Sequence, residues 1–501
     1  MTRLRTLALV AASLLLAATP RPAAAYSVQT HEQLIDLTWK ASIVPLLRDR
    51  FPGITNAQLA EAHSYAYGGC AIQDIGYYPF GNDFFSDLTH YVRAGDFVDS
   101  LLRNARTPDE VAFAIGALSH YLGDSIGHSE ATNPSVAAQF PTLARKFHTA
   151  SVTYEENPHD HVRVEFAFDI NEIAKRRFAP HKYLDHVGLN VSTGLLKKAF
   201  FETYGLELDK TLKVERTTLF GYRFSVRNFL PHIAYAETLL HRNGFPPDIP
   251  SPDLAKLEAD LRQAGKDNLW EQYRSHPGLG TYTLAGLITV MPPIGPLAEL
   301  RLRGPNEDAE TRYIVSVNNT VASLRAALER LHHPPPAVGP PPRRQTRYPN
   351  LDLDTGALVR PGSYRLTDET YAKLLKVLTR DPRRPIPVGL EEDILAYYAN
   401  PAAPIFTKRH PAKWAAIQAE LPTLRHADHP SALTTDNSQL TTHNSQLTTE
   451  RSSLSGLQYP PQTRNQHLSL PSPCANRLHF CLPPRSPSPA PPRSSPNTPW
   501  S

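Results

Sequence analysis

Between residues 26 and 333 the apolar positions recur about every 3.6 residues, in 108–131, 161–176, 217–242, 253–272 and 309–331, and few stretches alternate as a strand would. Three helix starts are written into this pattern. Thr30 with Gln33, Thr55 with Gln58, and Thr107-Pro108 with Glu110 each set a capping oxygen three residues before an amide or acid, the last with proline at the first helical position. The pattern predicts an all-α domain over 26–333. It breaks at 334–350, where PPPAVGPPPRRQTRYP cannot pack regularly and reads as a semi-rigid linker. Beyond it, 351–427 hold short helical patterns, such as 391–398 and 412–421, and read as a small helical appendage. From 428 the chain turns low-complexity, with the repeat TTDNSQL, TTHNSQL, TTERSSL beginning at Thr434 and a Pro/Ser/Arg-rich end, so disorder is expected there.

Composition changes this picture in two places. Of 48 prolines, 28 follow His333, which concentrates the search for function in the helical part. Hydrophobic residues at 41% with 20% charged exclude a wholly disordered chain, and three cysteines, two of them in the tail, exclude a disulfide scaffold and leave only Cys70 in the core. Residues 1–25 hold three arginines and no acid, and 451–501 five arginines and no acid or lysine. The formal charge of +4 therefore conceals a body, 26–450, of −4. Such a body offers no electrostatic footprint for duplex nucleic acid, while a metal site would supply its own positive charge.

The first 25 residues carry Arg3 and Arg5, an apolar run over 7–18 and Ala23-Ala24-Ala25, the layout of a secretory signal peptide too short to span a bilayer. Cleavage after Ala25 would make Tyr26 the first residue of an exported protein, secreted or periplasmic. The apolar stretch 284–297, LAGLITVMPPIGPL, reads as a buried helix ended by Pro292-Pro293, with a dip into a lipid interface as the other reading.

Chemistry concentrates in ALSHYLGDSIGHSEA, residues 117–131. His120, Asp124 and His128 stand four apart, each step turning the helix about 400°, so all three project from one stripe about 80° wide. Flanking Leu118, Tyr121, Leu122 and Ile126 are apolar, which argues against a solvated face. His161 and Glu165 repeat the i, i+4 geometry on the next helix. Imidazole and carboxylate at these spacings form a ladder of metal ligands. His63, His148, His159, His181 and His186, taken singly, read as surface or satisfied histidines.

The HYLGD run at 120–124 resembles the zinc-dependent phospholipases C of bacteria, whose fold is shared with fungal single-strand-specific nucleases. The resemblance covers 26 to about 175 and implies nine ligands in chain order, including the mature N-terminus. Asp74, His90, His120 and Asp124 would hold one zinc, Tyr26, His31 and Asp124 a second, and His128, His161 and Glu165 a third, with Asp124 bridging the first two. It implies a zinc-bound hydroxide as nucleophile and Asp74 as a proton acceptor, which makes Asp74 and Asp124 the catalytic residues. The short step from Asp124 to His128, with only Ser125, Ile126 and Gly127 between them, resembles the branch containing the N-terminal domain of glycosylphosphatidylinositol-specific phospholipase D. Gln29 stands where choline-lipid enzymes carry an acid for the ammonium, and Ile75 replaces an aromatic, so a choline headgroup is not expected. Tyr77, Tyr78, Phe80, Phe84 and Phe85 either line a mouth near the metals or pack their loop against the core.

The implied activity is phospholipase C hydrolysis of a phospholipid or other phosphodiester, with transient membrane-surface contact and no obligate protein partner. Two rivals stand beside it. One is a single-strand nuclease or 3′-nucleotidase of the same fold, and the other a non-catalytic surface-binding module in which metal supports only folding.

Overall fold

The computed structural model describes residues 27–212, 215–240, 245–274, 282–283, 304–333, 347–381, 383–387 and 389–426. The signal-like segment, Tyr26, the apolar stretch 284–297 and the low-complexity tail lie outside the described residues. Those described belong to one compact unit, Met1–Ser431. Within them the chain is helical, and the single isolated β-bridge pairs Leu351 with Leu358. The helices of nine or more residues are α1 (Val28–Thr38), α2 (Asn56–Gly69), α3 (Asp83–Tyr91), α4 (Ala94–Asn104), α5 (Pro108–Gly127), α6 (Pro158–Ala174), α7 (Thr193–Tyr204), α8 (Glu215–Phe224), α9 (Leu230–Leu240), α10 (Pro252–Asp267), α11 (Glu307–His332), α12 (Arg365–Thr379), α13 (Leu390–Tyr398) and α14 (Pro411–His426). Among the described residues, no helix is long and apolar enough to cross a membrane.

The central element is α5. From Val111 to Tyr121 every residue is buried, the signature of a helix packed on all sides instead of along one stripe. Thr107 opens it with a complete capping box to Glu110, and Thr55 opens α2 in the same way with Gln58. Helices α2 and α5 cross at glycines: a Cβ on Gly69 would lie 2.1 Å from the Phe113 carbonyl oxygen, and one on Gly116 2.2 Å from that of Ala66. The two backbones therefore touch, which brings the end of α2 and the turn after it against the middle of α5. Helices α1, α4 and α11 pack on other sides of α5.

The expected helix start at Thr30 needs correction. Helix α1 begins at Val28 after Ser27, and Thr30 lies inside its first turn. Its free N-terminal amides are satisfied from a distance. Asp169 of α6 accepts from the backbone N–H of Gln29 at 3.2 Å and of Thr30 at 3.1 Å, and from the Thr30 hydroxyl at 2.7 Å. A remote carboxylate takes the place of the local cap, favourably placed at the positive end of the helix. Further along the same interface, Gln33 donates to Glu172 and to the Arg177 carbonyl, and Arg177 bridges Glu172 and Glu310 of α11 at 3.1 and 3.0 Å. This buried polar seam fixes α1 and α6 in register with each other.

Residues 347–426, read from the sequence as the end of a linker and an appendage, pack into this same unit. Tyr121 of α5 donates to the Pro349 carbonyl at 2.7 Å, Leu353 N–H to the His90 carbonyl at 3.1 Å, and α12 lies against α3.

Candidate metal centre

Four side chains from three elements meet at the middle of α5. Asp74 sits in a 3-10 turn, Gln73–Gly76, that follows α2. This turn is pinned by α3, since Ser86 donates to the Gln73 carbonyl at 2.5 Å and accepts from Gly76 N–H at 2.9 Å. His90 lies in the last turn of α3, and His120 and Asp124 lie on α5. All four are buried, with Asp74 the most exposed at 2%.

Backbone carbonyls fix both imidazoles. His90 Nδ1 lies 2.8 Å from the Ser86 carbonyl and His120 Nδ1 3.0 Å from that of Cys70, so each ring donates backwards and turns Nε2 to the centre. Cys70 thus serves the centre through its carbonyl, while its buried thiol is pushed well above the ordinary range by desolvation. The facing atoms are His90 Nε2, His120 Nε2, Asp74 Oδ1 and Asp124 Oδ2. Their separations are 3.3 Å (His90 to Asp74), 3.3 Å (His90 to Asp124), 3.0 Å (His120 to Asp124), 3.4 Å (His90 to His120) and 3.9 Å (His120 to Asp74). A tetrahedron of ligands about 2.0–2.1 Å from a zinc ion has edges of about 3.3 Å. The five separations fall around that edge length, a spacing that suits a cation or shared protons between these atoms.

The other oxygen of Asp124 faces a different way. Its Oδ1 lies 3.2 Å from His31 Nε2, and the His31 ring stacks on His120 with centroids 4.4 Å apart. Burial alone would raise the Asp124 carboxyl, but the imidazoles of His120, His31 and His90 hold it well below the usual carboxylate range. Desolvation alone would lower His90, yet the carboxylates of Asp124 and Asp74 hold it well above the ordinary imidazole range, and His120 is raised by the same pair.

A second cluster begins one turn on. His128 closes α5 and opens a π-turn, His128–Thr132, in which Asn133 N–H returns to the His128 carbonyl. His128 and His161 stack at 5.0 Å, and His161 Nδ1 lies 2.8 Å from Glu165 Oε1 without hydrogen-bond geometry between them. Asn133 fixes the ring: its Oδ1 lies 2.8 Å from His161 Nε2, which leaves Nδ1 directed at Glu165. Burial drives His161 well below and Glu165 well above their ordinary values, towards neutral forms. Both His128 nitrogens, His161 Nδ1 and Glu165 Oε1 are buried without a hydrogen-bond partner. Unpartnered acceptors of this kind are costly in an apolar interior and are the chemistry of a cation site. All donors are nitrogen or oxygen, a set that suits zinc.

The structure brings together eight of the nine residues named from the sequence, in the groups His31–His120–Asp124, Asp74–His90–His120 and His128–His161–Glu165. The ninth, Tyr26, lies outside the described residues, next to the buried Ser27. His63 is satisfied elsewhere, 3.2 Å from Asp36 and stacked on Trp39. Of the five loop aromatics only Tyr77 approaches a ligand, its ring 5.7 Å from that of His90. Tyr78, Phe84 and Phe85 are buried in the core, and Phe80 is 65% exposed. Sequence reasoning missed Asn133 and Asp354. The latter is buried near His128 and carried by a DLDTG turn far along the chain.

Residues 30–212 match the family described as zinc dependent phospholipase C. The match contains all eight of these residues. No curated protein and no solved structure matches the chain.

Proposed function

From the match of residues 30–212 to the zinc dependent phospholipase C family, we propose that the protein is an exported zinc-dependent phosphodiester hydrolase, a phospholipase C that releases diacylglycerol and a phosphorylated headgroup. The observation that carries the reading is Asp124, whose two oxygens face two donor groups: Oδ1 meets His31, and Oδ2 meets His90 and His120. A carboxylate so placed could be shared between two neighbouring cations. Zinc at such a pair supplies a water acidified towards neutral pH and positive charge against the phosphoryl oxygens.

The protein's own part is to hold the donors. His90 and His120 are locked in one tautomer by the Ser86 and Cys70 carbonyls, so they are presented without reorganisation. Asp74, buried beside His90, is the carboxylate placed to take the proton released on attack. Removal of residues 1–25 would leave Tyr26 with a free amino group, which the family resemblance offers as a further donor beside His31 and Asp124.

Contact with a lipid surface has its own support. Phe80, Phe220 and Phe224 are 65%, 63% and 45% exposed, and the Thr218 hydroxyl of α8 ties this patch to the Phe80 carbonyl, six residues after Asp74. The test of the reading is Asp124→Asn, made in the mature chain. Phosphodiester hydrolysis should fall at least a hundredfold, with loss of bound zinc by elemental analysis. Near-normal turnover would overturn the shared-carboxylate reading.

A further inference from the structure

The family match ends at residue 212, yet a buried carboxylate from far beyond it reaches the centre. Asp354 is fully buried, and its Oδ2 accepts from the hydroxyls of Tyr91 at 2.9 Å and Tyr364 at 2.6 Å. Its Oδ1 has no hydrogen-bond partner and lies 3.6 Å from His128 Nε2, which has none either. That distance is too long for a hydrogen bond. It is the separation expected of two donors about 2.1 Å from one ion and about 120° apart.

The loop is built to hold this oxygen in place. Leu353 N–H bonds the His90 carbonyl, Asn133 Nδ2 donates to the Asp354 carbonyl at 2.7 Å, and Gly356 N–H closes the turn on the Asp352 carbonyl at 2.8 Å. Gly356 takes φ +68°, and a Cβ there would lie 2.3 Å from the Ser125 carbonyl oxygen, so the turn is seated directly on the end of α5. Asn133 links both halves, since its other carboxamide atom bonds His161. With Tyr91 and Tyr364 occupying Oδ2, the carboxylate cannot rotate to bring Oδ1 a donor.

We infer that Asp354 is a fourth protein ligand of the cation held by His128, His161 and Glu165, so that this site is closed by the segment after the proline-rich stretch. Two imidazoles and two carboxylates would neutralise a divalent ion and supply four of its ligands. The inference rests on the zinc reading above and extends it to a residue outside the family's matched segment.

The test compares full-length mature protein with Asp354→Asn and Tyr364→Phe, each checked for native helical circular dichroism. Zinc is titrated out with a chelator, and the visible spectrum of the cobalt-substituted protein reports ligand number. Asp354→Asn should weaken one zinc per chain at least tenfold and change the cobalt spectrum, while Tyr364→Phe, which keeps the ligand, retains all of its zinc. If Asp354→Asn does not fold, Asp354→Ser takes its place. Unchanged zinc affinity and spectrum in the Asp354 variant would overturn the inference, as would equal weakening in Tyr364→Phe, which would make Asp354 a loop anchor. A wild-type chain that binds no zinc would instead overturn the reading of the whole centre.

Discussion

Three of the candidate donors, His90, His120 and His161, are each held by a neighbour outside the donor set. Ser86 and Cys70 offer carbonyls to His90 and His120, and Asn133 offers its carboxamide to His161. Loss of such a partner typically costs ten- to a hundredfold in metal affinity. Asn133→Ala should therefore weaken one zinc per chain by about that factor, read by chelator competition, and leave the others as tight as before; unchanged affinity at every zinc would show that the His161 ring needs no such anchor. The clustering of the candidate donors was largely legible, because i, i+4 spacing on an apolar helix puts His120, Asp124 and His128 on one stripe. Asn133 was not, since the π-turn after His128 shifts the helical register and a lone asparagine before proline looks like an ordinary helix start. Asp354 was hidden by distance along the chain, and by a proline run that argued for separation where the fold makes contact.

At the scale of elements, the helix pattern carried the architecture, and caps decided the boundaries. Thr55 and Thr107 cap as their sequences imply because acid or amide partners stand three residues on. Thr30 does not, because Asp169, 139 residues away, already holds the amides of Gln29 and Thr30. No local signal contains that carboxylate. The α2–α5 crossing was likewise invisible, although it sets the distance between Asp74 and His120. Gly116→Ala would place a methyl 2.2 Å from a backbone oxygen, and overpacking of this kind costs about 1–3 kcal/mol. Gly194→Ala, on the first turn of α7 with nothing within 4 Å of the added carbon, should instead be neutral or stabilising by about 0.4–1 kcal/mol. Urea unfolding of the two variants checks this, and equal effects would contradict the close crossing.

Over the whole molecule, the proline-rich stretch does not divide the described chain into a working part and a dispensable one. Tyr348 is buried, Pro349 accepts from Tyr121, and Asp354 lies beside His128. The composition shift at 334 suggested independence for residues 347–426, which pack into the same unit, since composition reports what a segment can fold by itself and not what it docks on. The charge distribution points the same way as the centre: an acidic body with buried, unpartnered carboxylate and imidazole atoms calls for cations of its own. The central claim, a zinc-dependent phosphodiester hydrolase acting on lipid, is tested most directly by presenting the zinc-loaded mature protein with phospholipid vesicles of several headgroups, beside single-stranded DNA and a 3′-nucleotide. Diacylglycerol and a phosphorylated headgroup should appear, cease on chelation and return with zinc; cleavage of none of these substrates by protein that retains its zinc would contradict the account.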